Sequence, residues 1–271
     1  MDVSGKTAII TGAGSGIGRA TAQLLAKNGA NIVVADMNEA GAKETVAMIE
    51  SASGTAAALR VDVTQSPDID AMFDFARKTY GGFDILYNNA GITTGMPRWP
   101  DCPEENWRKT IEVDLNAVIE ATRKAIPLLR ARGGGVIIHT ASLAGLFGFQ
   151  ADPVYSAAKH GVVGLTRALV NLLPEANIRV NCVCPAVVRT PLVTSGIDRL
   201  SGAERAEAER RLSTMPMLPP EEIAGAVYDL VRDDTATGIA MGISLNDTRR
   251  VVDPPITLPV TSGDPNAAAR R

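Results

Sequence analysis

Short apolar runs alternate along this chain with longer stretches in which apolar residues recur at helical spacing. The runs are rich in valine, isoleucine and alanine, as in strands buried on both faces of a parallel sheet, and the longer stretches fit the crossover helices that such strands require. The pattern predicts a single-domain α/β fold, with a doubly wound parallel sheet of about seven strands flanked by helices. The predicted strands are residues 6–11, 31–36, 56–62, 83–88, 135–141, 177–184 and 238–244.

A glycine-rich loop joins the first predicted strand to the helical pattern of residues 16–28. It reads TGAGSGIG from residue 11 to residue 18. Glycine permits positive φ and close backbone approach, and the first amides of a helix attract phosphate. We therefore expect a dinucleotide to bind here, although such turns also serve only to pack a helix against a sheet. The residues expected to contact the dinucleotide are Gly12, Ser15, Gly16, Ile17 and Gly18.

An acidic residue, Asp36, ends the second predicted strand. A carboxylate at this position can accept hydrogen bonds from the ribose hydroxyls of an adenosine, and it repels a 2′-phosphate. The adjoining Met37, Asn38 and Glu39 supply no cation for such a phosphate, so NAD is favoured over NADP as the cofactor. A solvated aspartate at a strand end is the competing interpretation.

Tyr155 and Lys159 stand four residues apart in a helical stretch, and Tyr155 follows Ser142 by thirteen residues. Residues four apart share a helix face, so the ammonium group of Lys159 can act on the phenol of Tyr155. A free tyrosine has a pKa of ~10, so acid/base work near neutrality needs a lowering of roughly 3 units, which the lysine and a cationic nicotinamide ring could supply. The same spacing also occurs where a lysine merely packs along a buried ring.

With these elements in view, the chain resembles the short-chain dehydrogenase/reductase family in its one-domain Rossmann form, over residues of about 5–245. Its scaffold is similar to the branch that contains 15-hydroxyprostaglandin dehydrogenase. The resemblance implies that Asp62 and Val63 contact the adenine and that Lys159 binds the nicotinamide ribose. Further cofactor contacts are implied at Met37, Asn89, Ala90, Gly91, Tyr155, Pro185, Val188 and Thr190.

The implied reaction interconverts a secondary alcohol and a ketone by hydride transfer. Ser142 would hydrogen-bond the substrate oxygen, Tyr155 would exchange the hydroxyl proton, and Lys159 would lower the tyrosine pKa. The alternatives are an NADP-dependent carbonyl reductase and a catalytically silent, cofactor-binding regulatory protein.

Three departures from the family pattern bear on this reaction. Asp114 stands where the family usually has a helix asparagine that holds a water in a proton relay; we expect it to keep that catalytic role and to add negative charge near Lys159. Ala186 replaces a usual glycine, which would strain the backbone if φ there is positive. Asp152 replaces a substrate-contacting glutamine and is expected to disfavour an anionic group near the reacting carbon.

The residues expected to line the substrate pocket are mostly apolar, which predicts a hydrophobic alcohol or ketone; packing of a lid is the competing interpretation. The lid is predicted at about residues 190–220, within a domain of residues 1–250, and a partly ordered tail at residues 251–271. The expected pocket residues are 143–149, Met96, Trp99, Met215, Met217 and Leu218.

Composition excludes several classes of function. The net charge is −3 with a pI of about 5.5, which argues against nucleic acid and membrane surfaces as partners, and a cytoplasmic location is expected. The cysteines are interpreted as reduced and structural and the two histidines as structural, so no metal site is predicted. These residues are Cys102, Cys182, Cys184, His139 and His160.

Two long predicted helices, residues 104–131 and 153–173, carry more apolar residues than one sheet face requires. A homodimer that packs both helices against their mates is expected, and a homotetramer is possible. The apolar residues concerned are Trp107, Ile111, Leu115, Val118, Ile126, Val162, Val163, Leu165, Ala168 and Leu169.

Overall fold

A computed structural model describes residues 1–194, 201–245 and 249–253, except for the side chains of residues 204, 208 and 211. Its eight strands form one sheet in the order β3-β2-β1-β4-β5-β6-β7-β8, in which only β8 is antiparallel. The predicted α/β fold is therefore confirmed, with one strand added. The strands are β1 (Thr7–Thr11), β2 (Asn31–Asp36), β3 (Thr55–Arg60), β4 (Ile85–Asn88), β5 (Gly135–Thr140), β6 (Ile178–Pro185), β7 (Ala240–Ile243) and β8 (Arg250–Val251).

Helices cover both faces of the sheet, as parallel connections require. In the described residues they are α1 (Gly16–Lys27), α2 (Glu39–Ser51), α3 (Ser66–Tyr80), α4 (Glu104–Ile111), α5 (Ala117–Ala131), α6 (Pro153–Ala168), α7 (Leu172–Ala176), α8 (Pro191–Thr194), α9 (Gly202–Thr214) and α10 (Pro220–Arg232).

The apolar runs are continuous because the sheet is buried on both sides. Ile10 and Val34 face one hydrophobic cluster, whereas their chain neighbours Ile9 and Val33 face the other. The order of the strands reverses between β1 and β4, and a crevice opens at the carboxyl edge of such a sheet. A ligand is therefore expected to bind at the carboxyl edge of the sheet, near β1 and β4.

The predicted helix over residues 104–131 is not uniform. Between α4 and α5 the backbone forms a π-helical segment, Glu112–Asn116, which contains Asp114. Single π-turns of this kind are rare and concentrate at functional sites. The second predicted helix ends earlier than expected, because α6 stops at Ala168 and the short α7 follows.

The segment predicted to be a lid leaves the sheet after β6 and returns to it. Val188 pairs with Leu218, and their neighbourhood forms two backbone hydrogen bonds of 2.9 Å. Between these residues lie α8 and the largely exposed α9, while residues 195–200 lie outside the described part of the chain. Of the predicted tail, residues 254–271 also lie outside it. None of the described helices combines the length and hydropathy that a membrane crossing needs.

Candidate active site at the carboxyl edge of the sheet

The glycine-rich turn packs closely against the end of β4. Gly12 and Gly16 have φ values of +65° and +53°, and a Cβ atom on Gly12 would lie 2.9 Å from the Cα of Ala90. Ser15 precedes α1 in an extended conformation, and its side chain makes no capping hydrogen bond. The first amides of α1 are therefore left for an external acceptor, as a pyrophosphate site requires. Gly18 is buried in the same turn.

Asp36 closes this turn from the end of β2. One carboxylate oxygen accepts a hydrogen bond from the Gly14 amide at 2.8 Å, and the other accepts one from the Asn38 amide at 2.8 Å. Each oxygen keeps a lone pair for a further donor, such as a ribose hydroxyl. Met37 beside it is 55% exposed, and Arg60 is the register partner of Asp36 in the sheet.

Asp62 lies beyond the end of β3, on the expected adenine side. Its Oδ1 accepts hydrogen bonds from the Thr64 amide at 3.0 Å and the Thr64 hydroxyl at 2.7 Å. Partial burial opposes ionisation, but these bonds and the charges of Lys109 and Arg60 hold the pKa of Asp62 below its usual value. Val63 packs partly against the core. Their role toward adenine stays a prediction.

A network of threonine and asparagine side chains joins the ends of β1, β4 and β5. The Thr11 hydroxyl accepts hydrogen bonds from the amides of Asn89 at 3.0 Å and Ala90 at 3.1 Å. The Asn89 side chain donates to the Thr11 carbonyl at 3.0 Å and accepts from Thr140 at 3.1 Å. Sequence reasoning did not assign Thr11 and Thr140, although a threonine at the carboxyl ends of β1 and β5, the two strands that flank β4, was a readable signal.

The segment after β6 lies beside the glycine turn. A Cβ atom on Gly16 would lie 2.9 Å from Cγ2 of Thr190, and Val188 is buried under the same segment. Ala186, which follows Pro185, has no positive φ. The expected backbone strain at Ala186 is therefore absent, because this turn does not use the conformation that favours glycine.

Ser142, Tyr155 and Lys159 meet at the start of α6. Ser142 follows β5, where its hydroxyl donates to the Pro185 carbonyl at 3.4 Å and accepts from the Ala144 amide at 3.1 Å, and its proximity favours a lower pKa of Tyr155. The Lys159 ammonium lies 5.5 Å from the centre of the Tyr155 ring and donates to the Thr140 carbonyl at 2.9 Å. The fold thus brings together three residues that the sequence separates.

Asp114 forms a buried ion pair with Lys159. Its Oδ2 lies 2.9 Å from the lysine Nζ, and its Oδ1 accepts a hydrogen bond of 2.8 Å from the Ile92 amide. A Cβ atom on Gly91 would lie 3.2 Å from that same Oδ2, so Gly91 leaves room for the pair. The π-helical segment therefore places the Asp114 carboxylate against the Lys159 ammonium.

The electrostatics of this group differ from the sequence expectation. Burial raises the pKa of Tyr155; the Lys159 charge opposes this shift, and the Asp114 charge reinforces it. Burial alone would lower the pKa of Lys159, but its attraction to Asp114 and Tyr155 raises it above the ordinary value. Burial likewise raises the pKa of Asp114 against the pull of Lys159. Lys159 thus acts on the pKa of Tyr155 in the expected direction, but in the protein by itself burial and Asp114 outweigh it. The acid/base role of Tyr155 stays a prediction.

Asp152 was expected near the reacting carbon, but it faces inward. It is 6% exposed and caps α6, with Oδ1 accepting the Tyr155 amide at 3.0 Å. Its Oδ2 accepts the amide of Thr94 at 3.0 Å and the hydroxyl of Thr94 at 2.8 Å. A carboxylate followed by Pro153 at the first helical position was a readable N-cap signal.

The remaining titratable candidates lie in the core. His139 is fully buried in β5, where burial lowers its pKa to about 3 and its Nδ1 pairs with Asn88 at 3.2 Å. The thiols of Cys182 and Cys184 lie 4.0 Å apart on β6, and both cysteines are free. Within the described residues no group of three potential ligands could hold a metal ion.

Large apolar side chains are exposed around the start of α6. Met96 and Trp99 follow Thr94, which bonds the N-cap Asp152, and they are 76% and 48% exposed; Phe147 is 65% and Phe149 46% exposed. Met215, just after α9, is also exposed. Leu218 was also expected to line the pocket, but it is buried in the hydrophobic core. It lies at the end of the segment that connects β6 to α10. Exposed apolar clusters of this kind mark ligand sites.

The chain is similar to several known proteins. A family model for short chain dehydrogenases matches residues 6–199. Cyclohexanol dehydrogenase of Acinetobacter sp. (strain SE19) is 41% identical over 233 residues, which cover 85% of this chain and 89% of the relative. NAD(+)-specific 15-hydroxyprostaglandin dehydrogenase of Mus musculus is 33% identical over 255 residues, covering 90% and 91%. The crystal structure of levodione reductase has a TM-score of 0.82 at 27% identity, covering 89% of this chain and 96% of that one.

Proposed function

The chain belongs to the short-chain dehydrogenase family, whose members are oxidoreductases that use nicotinamide cofactors, and we propose that this member oxidises hydrophobic, cyclic secondary alcohols with NAD. The observation that carries the proposal is the meeting of Ser142, Tyr155 and Lys159 at the sheet edge that also holds the glycine turn. A catalytically silent regulatory protein would not need Ser142, Tyr155 and Lys159 to lie close together.

The residues at this edge fit a dinucleotide. The free amides at the start of α1 would bind the pyrophosphate, Asp36 would bind the adenosine ribose, and Lys159 the nicotinamide ribose. Bound NAD would supply the hydride acceptor for the carbinol carbon. Ser142 would hold the substrate oxygen by a hydrogen bond, and Tyr155 would take the hydroxyl proton.

The choice of NAD rests on Asp36. Its carboxylate holds the Gly14 amide at 2.8 Å, so a 2′-phosphate would bring a second negative charge against an oxygen that the turn keeps in place. Two cations lie nearby and could accept a phosphate once that carboxylate is removed: Arg60, its register partner on β3, and Arg19, which donates to the Gly14 carbonyl.

The choice of substrate rests on the apolar residues near α6 and on the relatives. Met96, Trp99, Phe147 and Phe149 present large apolar surfaces to solvent. A saturated ring covers such surfaces well and gains free energy by leaving water. The activity named for the Acinetobacter relative, on cyclohexanol, has this chemistry.

The test is a screen of NADH formation over cyclohexanol, larger cyclic alcohols, linear secondary alcohols and carboxylated analogues, each with NAD and NADP. We expect the highest kcat/KM with NAD and a neutral cyclic alcohol. Asp36→Ala should raise kcat/KM with NADP relative to NAD. Equal efficiency with both cofactors in the wild type would refute the NAD assignment, and a preference for the carboxylated series would refute the substrate class.

A further inference from the structure

Asp152 is a buried carboxylate that the proposed reaction does not use. Three donors hold it: the amide of Tyr155 at 3.0 Å, and the amide and hydroxyl of Thr94 at 3.0 and 2.8 Å. A buried carboxylate is costly unless such charge-assisted bonds compensate it, so its position is tightly set. The carboxylate thus joins the catalytic helix α6 to a residue 58 positions earlier in the chain.

Thr94 is fixed from a second side. It is 1% exposed, and its carbonyl accepts a hydrogen bond of 3.1 Å from the side chain of Asn106 on α4. One residue therefore connects α4 with the N-cap of α6. We call these contacts the Thr94–Asp152 link.

The segment that follows the link carries exposed apolar residues. Gly95 has a φ of +76°, and residues 95–101 are all exposed, including Met96 and Trp99. At the same helix start, the Phe149 amide donates to Ser156 at 3.3 Å, and the Ser156 hydroxyl donates to the Ala144 carbonyl at 2.6 Å. Two segments with exposed apolar residues are thus joined by hydrogen bonds to Asp152 and Ser156 at the start of α6.

We propose that the Thr94–Asp152 link positions residues 95–101 as a wall of the substrate pocket and thereby sets the preference for bulky apolar alcohols. The inference rests on the proposed function for its kinetic consequence. Thr94 and Asp152 are positioning residues, because they act through Met96 and Trp99 rather than on the reacting atoms. Loosening the link should weaken binding of a large ring more than binding of a small alcohol, since only the ring reaches that wall.

The test compares Thr94→Val, which removes the hydroxyl but keeps the shape, with Thr94→Ser, which keeps the hydroxyl. Thr166→Val is the matched control, because Thr166 is a buried threonine farther along α6 whose hydroxyl donates to the helix carbonyl of Val162. Losing one bond to the carboxylate should raise the KM for cyclohexanol about fivefold to tenfold in Thr94→Val. Its KM for 2-propanol and its kcat should change less than about twofold, as should all constants of the other two variants.

A second readout does not depend on activity. The chain has two tryptophans, so a Trp107→Phe background leaves Trp99 as the sole tryptophan reporter of the segment. Acrylamide should quench Trp99 fluorescence more strongly in Thr94→Val than in Thr94→Ser or Thr166→Val. If Thr94→Val does not give soluble protein, Asn106→Ala releases the other side of Thr94 and should shift both readouts in the same direction.

The outcomes separate the two proposals. Unchanged quenching, or equal changes in the KM of cyclohexanol and 2-propanol, would overturn the link. A fall in kcat without a change in KM would also overturn it, because that result would place Thr94 in the chemistry. A wild type that oxidises none of the alcohols would refute the proposed function, and quenching alone would then decide the link.

Discussion

Asp114 places a negative charge 2.9 Å from the Lys159 ammonium that the mechanism needs beside Tyr155. An asparagine would offer the same oxygen to the Ile92 amide without that charge. The substitution therefore fixes the lysine in place, and it also cancels part of the field that stabilises a phenolate. Tyr155 in this protein should be a weaker acid than it would be beside an uncompensated lysine.

The first prediction concerns Asp114→Asn. Because the Asp114 charge raises the pKa of Tyr155, its removal should lower that pKa. Alcohol oxidation needs the phenolate, so the acidic limb of the kcat/KM profile should move to lower pH. The titratable groups that interact with the pair are Tyr155, Asp152, His139, Cys182 and Cys184, and none of them is altered by the variant. A limb that stays in place or moves to higher pH would contradict this electrostatic role.

The second prediction concerns Tyr155→Phe. The change deletes the proton-exchanging hydroxyl but keeps the ring beside Lys159, so turnover should fall about 100-fold or more. Binding of NADH, followed by its fluorescence, should remain within about threefold of wild type, because the glycine turn and Asp36 are untouched. A variant that keeps a tenth of the activity would remove Tyr155 from the acid/base role.

Sequence spacing was enough to select Ser142, Tyr155 and Lys159, because a strand end and one helix turn fix their relative positions. It could not give the pKa of Tyr155, which depends on burial and on the charge of Asp114, a residue of a different helical segment. Nor did it give the direction of Asp152, whose partner Thr94 lies far away in sequence.

At the scale of elements, most strands could be predicted to within about two residues, since a buried parallel strand needs an unbroken apolar run. The strand β8 could not, because its two residues are exposed and carry no pattern. The π-helical segment was also invisible, since its apolar spacing matches that of an ordinary helix. In the structure, this segment contains Asp114, which pairs with Lys159 of another helix.

The end of helix α10 is held by a residue that is distant in sequence, Arg179. It lies buried in β6, and its guanidinium donates to the carbonyls of Leu230 and Val231 at 2.7 Å each. These carbonyls belong to the last turn of α10, where no further helical amide reaches them. Arg179 therefore ties the end of α10 to the sheet, and the N-terminal ammonium of Met1 also donates to the carbonyls of Val231 at 3.1 Å and Arg232 at 2.9 Å.

The third prediction follows from this contact. Arg179→Met keeps most of the side-chain volume but removes the charged donor of the Leu230 carbonyl and one of the two charged donors of the Val231 carbonyl, the other being the N-terminal ammonium. This loss should lower the free energy of unfolding by about 2–3 kcal/mol. Arg232→Met, at the exposed end of the same helix, is the matched control and should change stability by less than about 0.5 kcal/mol. Urea unfolding of both variants measures the difference, and equal midpoints would show that Arg179 does not carry the helix end.

At the scale of the whole molecule, the long helices divide their apolar residues between two uses. Val118, Val162 and Val163 are buried within the chain, where they pack against Cys182 and Cys184 of β6. These three valines were expected to contact a second copy of the chain, but they are already buried within one chain. Other apolar residues on these helices stay partly or largely exposed, among them Trp107, Ile111, Leu115, Ile119, Ile126 and Leu165.

We propose that these remaining residues pack in an isologous dimer, in which each helix meets its mate. Ile119 on α5 is 41% exposed, so Ile119→Glu should fold normally as a single chain yet bury two carboxylates at the proposed interface. Leu128 is equally exposed on α5, and nine residues at 3.6 per turn place it on the opposite flank of the helix. Leu128→Glu is therefore the matched control. Light scattering at micromolar concentration should give the mass of a dimer for wild type and Leu128→Glu and a smaller mass for Ile119→Glu, whereas a monomeric wild type would refute the dimer.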